Sequence, residues 1–375
     1  MSEFLKEMEN WESYSPVNSA RFSEAEIEKA LDLIENKPGW HSKLWEARLY
    51  EAITTSDFPI LFGQIVTREM IAKYTGITPD WKSYVKVGKT NDFRTVTREA
   101  VYDTDELKQV EEKGEYLVAP HAQGRYSGAV EKYGRSFDIS YESMVNDIMN
   151  AFADVPERFS RAAANTEALI ATRLIADAAG PNASLFGDTV SDPASGADIT
   201  NKGVLALTID NLETTLNLMA AQLHPLDGSQ LGIRGVHLVV PSALELTARK
   251  ILNSTQISRI TDGEVLPNIN ILPQMGIQLH VNTYLNRVDA SANVNRTWYV
   301  FASPGEGVAA EYLQMSGHEA PEICMKASNK VTPTGAPISP MSGDFETDNI
   351  FYRVRMIGGG IRRDPRYAYA QAPTS

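Results

Sequence analysis

The histidines of this chain could serve acid–base chemistry or metal binding, but their spacing supports neither. The six lie far apart, at His41, His121, His224, His237, His280 and His318. No two stand four residues apart, and none accompanies the carboxylate motif of a zinc enzyme. His237 and His280 fall within predicted strands, where we expect hydrogen-bonded sheet residues rather than ligands. The sequence therefore predicts no catalytic histidine and no metal site.

Motifs for phosphate binding and nucleophilic catalysis are also missing. Gly358, Gly359 and Gly360 follow a predicted strand, but neither a P-loop lysine nor the dinucleotide-binding spacing accompanies them. We interpret them as a turn that needs positive φ. No G-x-S-x-G elbow occurs, and the acidic turn at 262–264 lacks the rest of a calcium loop. Cys324, the only cysteine, is expected to be a buried hydrophobe. The sequence thus predicts no enzyme and no cofactor.

Charge and hydropathy narrow the class of protein. The 375 residues carry a net charge of −13. This argues against an outer surface that binds nucleic acid, since phosphate binding needs basic residues, but it is compatible with a surface that only encloses nucleic acid. No apolar run approaches the roughly 18 residues of a membrane span. The acidic N-terminus lacks the apolar block of a signal peptide, and the single cysteine fits a reducing cytoplasm.

The largest feature is a charged arm at 82–139, which runs into a long helix at 141–180. Val96, Ala100 and Tyr102 alternate along the arm, which predicts a long β-hairpin too polar to form its own core. Its root is basic and its tip acidic, so we expect contact between the tip of one copy and the root of another. The candidate contact residues are Lys86, Lys89, Arg94 and Arg98 at the root, and Glu111, Glu112 and Glu115 at the tip.

A second basic cluster follows an alternating strand near the C-terminus. Its members are Arg353, Arg355, Arg362, Arg363 and Arg366. Because the chain is acidic overall, we expect inter-subunit ion pairs with the acidic N-terminal arm or the arm tip rather than nucleic-acid binding.

The remaining elements alternate in type. Asp154 and Pro156 break the helix after the arm, which leaves a second helix of about 25 residues, roughly 38 Å long. Amphipathic spacing predicts a helix from Ile209 to Leu223, and residues 236–240, 277–281, 298–302 and 308–313 are predicted strands. Residues 205–325 therefore form an α/β domain.

Several stretches resemble the major capsid protein of tailed bacteriophages, whose fold is shared with encapsulins and herpesvirus capsid shells. Residues 132–142 (KYGRSFDISYE) resemble the passage from its extended loop into its spine helix. Residues 236–252 resemble a strand-to-helix unit of its axial domain, and 345–369 its C-terminal peripheral-domain strand. The order and spacing of these stretches, rather than any single motif, carry the resemblance.

The resemblance implies an α+β fold of several parts. These are an N-terminal arm at 1–57, a peripheral domain with the spine helix at 58–81 and 139–204, an extended β-hairpin loop at 82–138, an axial α/β domain at 205–325, and a return to the peripheral domain at 326–375.

The resemblance also implies a function. Copies would form pentamers and hexamers that close into an icosahedral shell around double-stranded DNA, as a virion capsid assembled in the host cytoplasm. The segment before residue 58 is too short for the scaffolding domain of some members, so a separate scaffold protein is expected, with portal and decoration proteins as further partners. Some members crosslink a loop lysine to an asparagine of a neighbour. Here Lys86, Lys89, Lys108 and Lys113 lie in the loop, but neither the partner position nor the catalytic acid is matched, so no crosslink is expected.

Two alternatives remain. An encapsulin-like nanocompartment shell would package a cargo protein instead of DNA. Cargo protein would then copurify with the shell, whereas DNA would copurify with a capsid. A cytoplasmic α/β enzyme acting through residues 205–325 would need a pocket with convergent polar groups.

Overall fold

The computed structural model describes residues 70–102, 109–110, 112, 122–140, 155–226, 228–254, 256–261, 264–326, 328–335 and 343–374. The chain divides into two compact units. The first unit comprises 1–78, 132–164 and 316–357, and the second comprises 79–131, 165–315 and 358–375. The predicted N-terminal arm lies outside the described residues. Among the residues described, no helix is long and apolar enough to cross a membrane.

The described part of the predicted arm contains the strands β1 (Lys86–Thr90), β2 (Val96–Tyr102) and β3 (Ala122–Ile139). β2 and β3 pair antiparallel, from Val96 opposite Gly128 to Tyr102 opposite Ala122, which confirms the hairpin. Along β2, half-buried and exposed residues alternate, as the two-residue period of a strand requires. Most of the tip between the two strands lies outside the described residues. β1 does not join the hairpin but pairs with a strand from much later in the chain.

The helix after the arm is α1 (Val155–Ile175), with 21 residues. It begins near Pro156, as predicted, because proline is well suited to a first turn. It ends before Gly180, since the following residues form the paired strands β4 (Ala176–Asp177) and β5 (Gly180–Pro181). The predicted helix before Asp154 falls outside the described residues.

The next elements alternate between strand and helix. They are β6 (Val190–Ser191), β7 (Asp198–Ile199), β8 (Lys202–Gly203), α2 (Ile209–Ala220), β9 (Gly235–Val240), α3 (Glu245–Asn253), β10 (Gln256–Thr261), β11 (Glu264–Ile269), β12 (Gln278–Val281), α4 (Leu285–Val288), β13 (Trp298–Ala302) and β14 (Ala310–Met315). The side-chain hydroxyl of Thr208 caps α2 by accepting from the backbone N–H of Asn211. The predicted helices and strands are confirmed here, whereas the β10–β11 hairpin was not predicted.

The last strands of the described chain are β15 (Glu322–Met325), β16 (Ile350–Arg362) and β17 (Ala368–Gln371). In the second unit, one sheet has the strand order β12-β9-β13-β17-β8. Its core packs α2 and α3 residues against the strands, including Leu212, Ala248, Leu238, Val300 and Trp298. This confirms the α/β character of the central segment.

A second sheet contains the arm strands, in the order β1-β14-β16-β3-β2. β1 runs parallel to β14, with Lys86 opposite Glu311, and β14 runs antiparallel to β16. The root of the arm is therefore built into a sheet instead of projecting as part of a hairpin. In the first unit, β15 pairs with the beginning of β16, and the Phe137 ring lies 4.8 Å from that of Phe159 and 5.0 Å from that of Tyr352.

The glycine run does not form the predicted turn. Gly358, Gly359 and Gly360 lie inside β16, and none has positive φ. Close approach of neighbouring groups explains the glycines instead. A Cβ at Gly359 would lie 2.0 Å from the carbonyl oxygen of Ala129, and one at Gly360 would lie 2.7 Å from Leu174 Cδ1.

Candidate assembly surfaces

Glu311 is a buried carboxylate that joins the arm to the body of the second unit. It lies on β14 and is 2% exposed. Arg98 Nε of β2 donates to its Oε1 at 3.1 Å, and Arg363 Nη1 donates to its Oε2 at 3.2 Å. A Cβ at Gly88 would lie 1.9 Å from Oε1, so glycine on β1 leaves room for the carboxylate. A charge removed from water to this degree needs such partners to be tolerated.

A second buried polar cluster lies at Tyr102, four residues after Arg98 on β2. Tyr102 Oη donates to Asp364 Oδ2 at 2.5 Å, and the Arg366 guanidinium donates to Asp364 and, at 2.6 Å, to Asp192 Oδ2. Arg366 is 3% exposed. Burial opposes ionisation of Asp192, but hydrogen bonds from Arg366 and Ser195 outweigh it and lower the pKa of Asp192. Burial, and then the Asp364 charge, raises the pKa of Tyr102.

These two clusters attach one face of β2 at two points. Arg98 and Tyr102 are four residues apart, so both side chains project from the same side of the strand. The partners come from β14 and from the segment after β16, and Arg98 and Glu311 are 213 positions apart in sequence. Sequence reasoning missed both clusters because such long-range pairs leave no local spacing signal.

His237 and His280 form a third buried polar feature. They lie on the adjacent strands β9 and β12, and His237 Nδ1 is 3.0 Å from His280 Nε2. This confirms the prediction of hydrogen-bonded sheet histidines. Burial, and then the neighbouring His280, lowers the pKa of His237 to about 4. Burial also lowers the pKa of His280, against the opposing effect of Asp80.

The predicted contact residues of the arm lie in different settings. Lys86, Lys89 and Arg94 are exposed, whereas Arg98 is half-buried and bound to Glu311. Glu112 is exposed, and Glu111 and Glu115 lie outside the described residues. Contact between copies through these side chains stays a prediction.

The structure separates the C-terminal arginines that the sequence grouped together. Arg355 pairs with Glu322 and Arg363 pairs with Glu311, whereas Arg353 is exposed. Arg362 Nε donates to the carbonyl oxygen of Leu174 at 3.2 Å. Several of these side chains thus have partners within their own chain. Their predicted role between subunits is not tested by these contacts.

Cys324 is exposed, contrary to the prediction of a buried hydrophobe. It lies on β15 opposite Arg353 of β16, which is also exposed. Paired residues of neighbouring strands share a face, so the exposed face of this strand pair carries both side chains. Within the described part of the chain, no three histidine, cysteine or acidic residues converge into a group that could hold a metal.

A comparison with protein families decides the identity of the chain. The model of the phage capsid protein family matches residues 125–371, from the second strand of the hairpin to the last strand of the fold. The chain belongs to the phage capsid protein family. It is therefore a structural protein of the virion capsid and not an enzyme.

Three solved structures resemble this capsid protein at low identity. A chain of "Capsid of native GTA particle computed with C5 symmetry" is 12% identical with a TM-score of 0.45, covering 80% of this chain and 92% of that one. A chain of "Asymmetric unit of bacteriophage PhiM1 mature capsid" is 10% identical with a TM-score of 0.45, covering 80% and 88%. A chain of "Mycobacterium phage Adephagia" is 13% identical with a TM-score of 0.42, covering 95% and 99%. No curated protein sequence matches.

Proposed function

We propose that copies of this capsid protein form pentamers and hexamers that close into an icosahedral shell around double-stranded DNA. The family match over residues 125–371 carries the proposal, because it spans the β3–β16 sheet strands, α1 and the central α/β segment. A head-to-tail contact that closes by rotation generates rings of this kind from identical chains.

The paired arm strands support the proposal. The β2–β3 hairpin presents exposed residues on one face of β2, including the apolar Val101, which is 58% exposed. In the proposed division, this hairpin belongs to the extended loop at 82–138, which contacts a neighbouring copy. Residues 205–325 form the axial domain, and α1 belongs to the peripheral domain.

Further partners belong to the same proposal. A separate scaffold protein would guide assembly in the host cytoplasm, a portal protein would occupy one vertex, and a decoration protein would bind the finished shell. The encapsulin-like and enzymatic alternatives are not favoured, since the matching family consists of phage capsid proteins.

Electron microscopy of the full-length protein tests the proposal, both alone and co-expressed with a candidate scaffold from the same genome. We expect uniform closed shells, and particles from infected cells should contain nuclease-protected double-stranded DNA. A protein that remains monomeric or dimeric with scaffold present would overturn the shell. Particles filled with a cargo protein instead of DNA would favour the nanocompartment.

A further inference from the structure

A basic surface of the second unit lies where the segment after β12 runs along the second half of α1. Two hydrogen bonds fix this segment at its ends. Tyr284 Oη donates to Asn165 Oδ1 at 2.6 Å, and the backbone N–H of Ala290 donates to the carbonyl oxygen of Ala178 at 3.2 Å. Residues 284–290 therefore follow the helix over its last turns.

Three exposed arginines lie on these two segments: Arg173 on α1, Arg287 on α4 and Arg296 before β13. The Arg287 guanidinium lies over the Tyr284 ring, 5.3 Å from its centroid. Asn286 Nδ2 is 3.4 Å from Asn295 Oδ1, which brings the neighbours of Arg287 and Arg296 together.

We name this set the arginine surface. Its members are Asn165, Arg173, Tyr284, Arg287, Asn295 and Arg296.

Within the described chain, the guanidinium groups of the arginine surface form no ion pair, although Asp177 lies four residues after Arg173. No described carboxylate lies within 4.0 Å of the Arg173, Arg287 or Arg296 guanidinium. Elsewhere in the same unit, Arg98 and Arg366 are bound to buried carboxylates. Asp289 lies in the same segment, but it is 4% exposed and accepts from the backbone N–H of Ser291. A local excess of arginine therefore stands on a chain with a net charge of −13.

The arginine surface also lacks the apolar centre of a protein–protein interface. Among the described residues, no exposed large hydrophobic side chain lies on α1 or within 282–297. In the second unit, such side chains occur elsewhere, for example Leu246, Ile269 and Ile271. Stable protein interfaces have an apolar core inside a polar rim. Arginine guanidinium and asparagine amide groups, by contrast, are common donors to the phosphate oxygens of nucleic acid.

We propose that the arginine surface contacts the phosphate backbone of the double-stranded DNA that the shell encloses, without reading its sequence. The inference rests on the proposed function, since it places the DNA inside the shell. We expect the contact to be weak, because three arginines attract phosphate while the acidic chain around them repels it. Such a contact holds the outer layer of DNA in place without trapping it.

Binding to a labelled duplex of random sequence tests the proposal, using fluorescence anisotropy and full-length subunits before assembly. The test variant carries Arg173→Gln, Arg287→Gln and Arg296→Gln. The matched control carries Arg135→Gln, Arg234→Gln and Arg249→Gln, which remove the same charge from other exposed positions. Raising salt from 50 to 200 mM should lower the wild-type affinity about 40-fold more than that of the test variant, since three phosphate contacts are lost. The control should keep the wild-type salt dependence.

Three outcomes would overturn the inference. The inference is wrong if wild-type subunits do not bind the duplex. It is also wrong if both variants lose the same amount of duplex affinity, because net charge would then explain binding. A test variant that keeps duplex binding but loses binding to poly-glutamate would point to an acidic protein partner instead. Electron microscopy of the same proteins after assembly separates this inference from the proposed function. Shells that form normally leave the proposed function standing when the DNA contact fails.

Discussion

At the scale of single residues, the absence of a side chain shapes the sheet that contains the arm. Gly128 of β3 and Gly359 of β16 lie where their two strands approach each other closely. A Cβ at Gly128 would lie 2.4 Å from the carbonyl oxygen of Gly360, and one at Gly359 would lie 2.0 Å from that of Ala129. Since backbone atoms cannot rotate away as a side chain can, these positions admit only hydrogen at the α-carbon without a backbone shift.

Substitution of Gly359 by alanine should therefore destabilise the protein. We expect Gly359→Ala to lower the free energy of unfolding by about 1–3 kcal/mol, the usual cost of overpacking. Urea unfolding of full-length subunits measures it. Gly305→Ala is the matched control, because its Cβ would meet only Ser303 Oγ, at 3.8 Å. Equal stability of the two variants would contradict the close approach.

The glycine run also shows what the local sequence can and cannot predict. Three consecutive glycines favour a turn on local grounds, because glycine tolerates positive φ. The groups that require glycine here, Ala129, Tyr312 and Leu174, are brought together only by the sheet and the helix packed on it. Cys324 illustrates the same limit, since its apolar neighbours suggest burial while its strand pairing with Arg353 places it on an exposed face.

At the scale of elements, polar groups attach β2 to the body at Arg98 and Tyr102. One of these groups is the Tyr102 hydroxyl, which donates to Asp364 Oδ2 at 2.5 Å. Removing this hydroxyl leaves Asp364 with fewer donors in a site where Asp364 is 5% exposed. A hydrogen bond to a charged group contributes more than one between neutral groups.

Tyr102→Phe should lower the free energy of unfolding by about 1.5–3 kcal/mol, the range for hydrogen bonds to charged groups. Tyr299→Phe is the control, because the buried Tyr299 hydroxyl has no hydrogen-bond partner within the described chain. Its removal should be neutral or stabilising. Chemical denaturation of both variants decides the matter, and an equal response would show that the Tyr102 hydrogen bond does not stabilise the attachment.

The histidine pair makes the central sheet sensitive to acid. His237 has a folded pKa of about 4 and the pKa of His280 is also lowered, whereas an unfolded histidine titrates near 6.5. The unfolded chain therefore binds more protons between these values, so stability is fully present above about pH 6.5 and falls as the pH drops toward 4. His237 alone should account for about 3 kcal/mol over this window.

Unfolding free energies measured from pH 7 to 4 test this expectation. His237→Gln should flatten the pH dependence, while Gln274→Ala, at an exposed position without a titratable group, should leave it unchanged. The pKa of Asp192 is lowered from its ordinary value of 3.8. The stability that Asp192 contributes is therefore lost mainly below pH 4, outside the range of this measurement. An unaltered slope in His237→Gln would assign the acid sensitivity to other groups.

At the scale of the whole molecule, the sequence predicted the elements better than their contacts. Hydrophobic periodicity and helix-breaking proline and glycine residues predicted the β2–β3 hairpin, α1, α2 and the strands of the central sheet. These features can be recognised in the local sequence alone. The partners of Arg98, Arg363 and Arg366 could not be predicted, since each depends on segments that meet only in the folded chain. The order of elements nevertheless favoured a capsid protein, and the family match confirms it.

Assembly itself is where the charged arm should matter. The structure refines the predicted root: Arg98 is held by Glu311 within its own chain, while Lys86 and Arg94 are exposed. If the acidic tip of one copy contacts the basic root of another, changing Glu111, Glu112 and Glu115 to lysine places like charges opposite each other. We expect folded subunits that no longer form shells, judged by circular dichroism and electron microscopy.

Two further variants make this test specific. Asp188→Lys, Asp198→Lys and Glu346→Lys together change the net charge by the same amount at exposed positions away from the arm, and shells should still form. Adding Lys86→Glu and Arg94→Glu to the reversed tip restores opposite charges across the contact, so assembly should recover in part. Pairing between tip and root would be wrong if the reversed tip still gave normal shells. It would also be wrong if the control lost them equally, because net charge rather than position would then limit assembly.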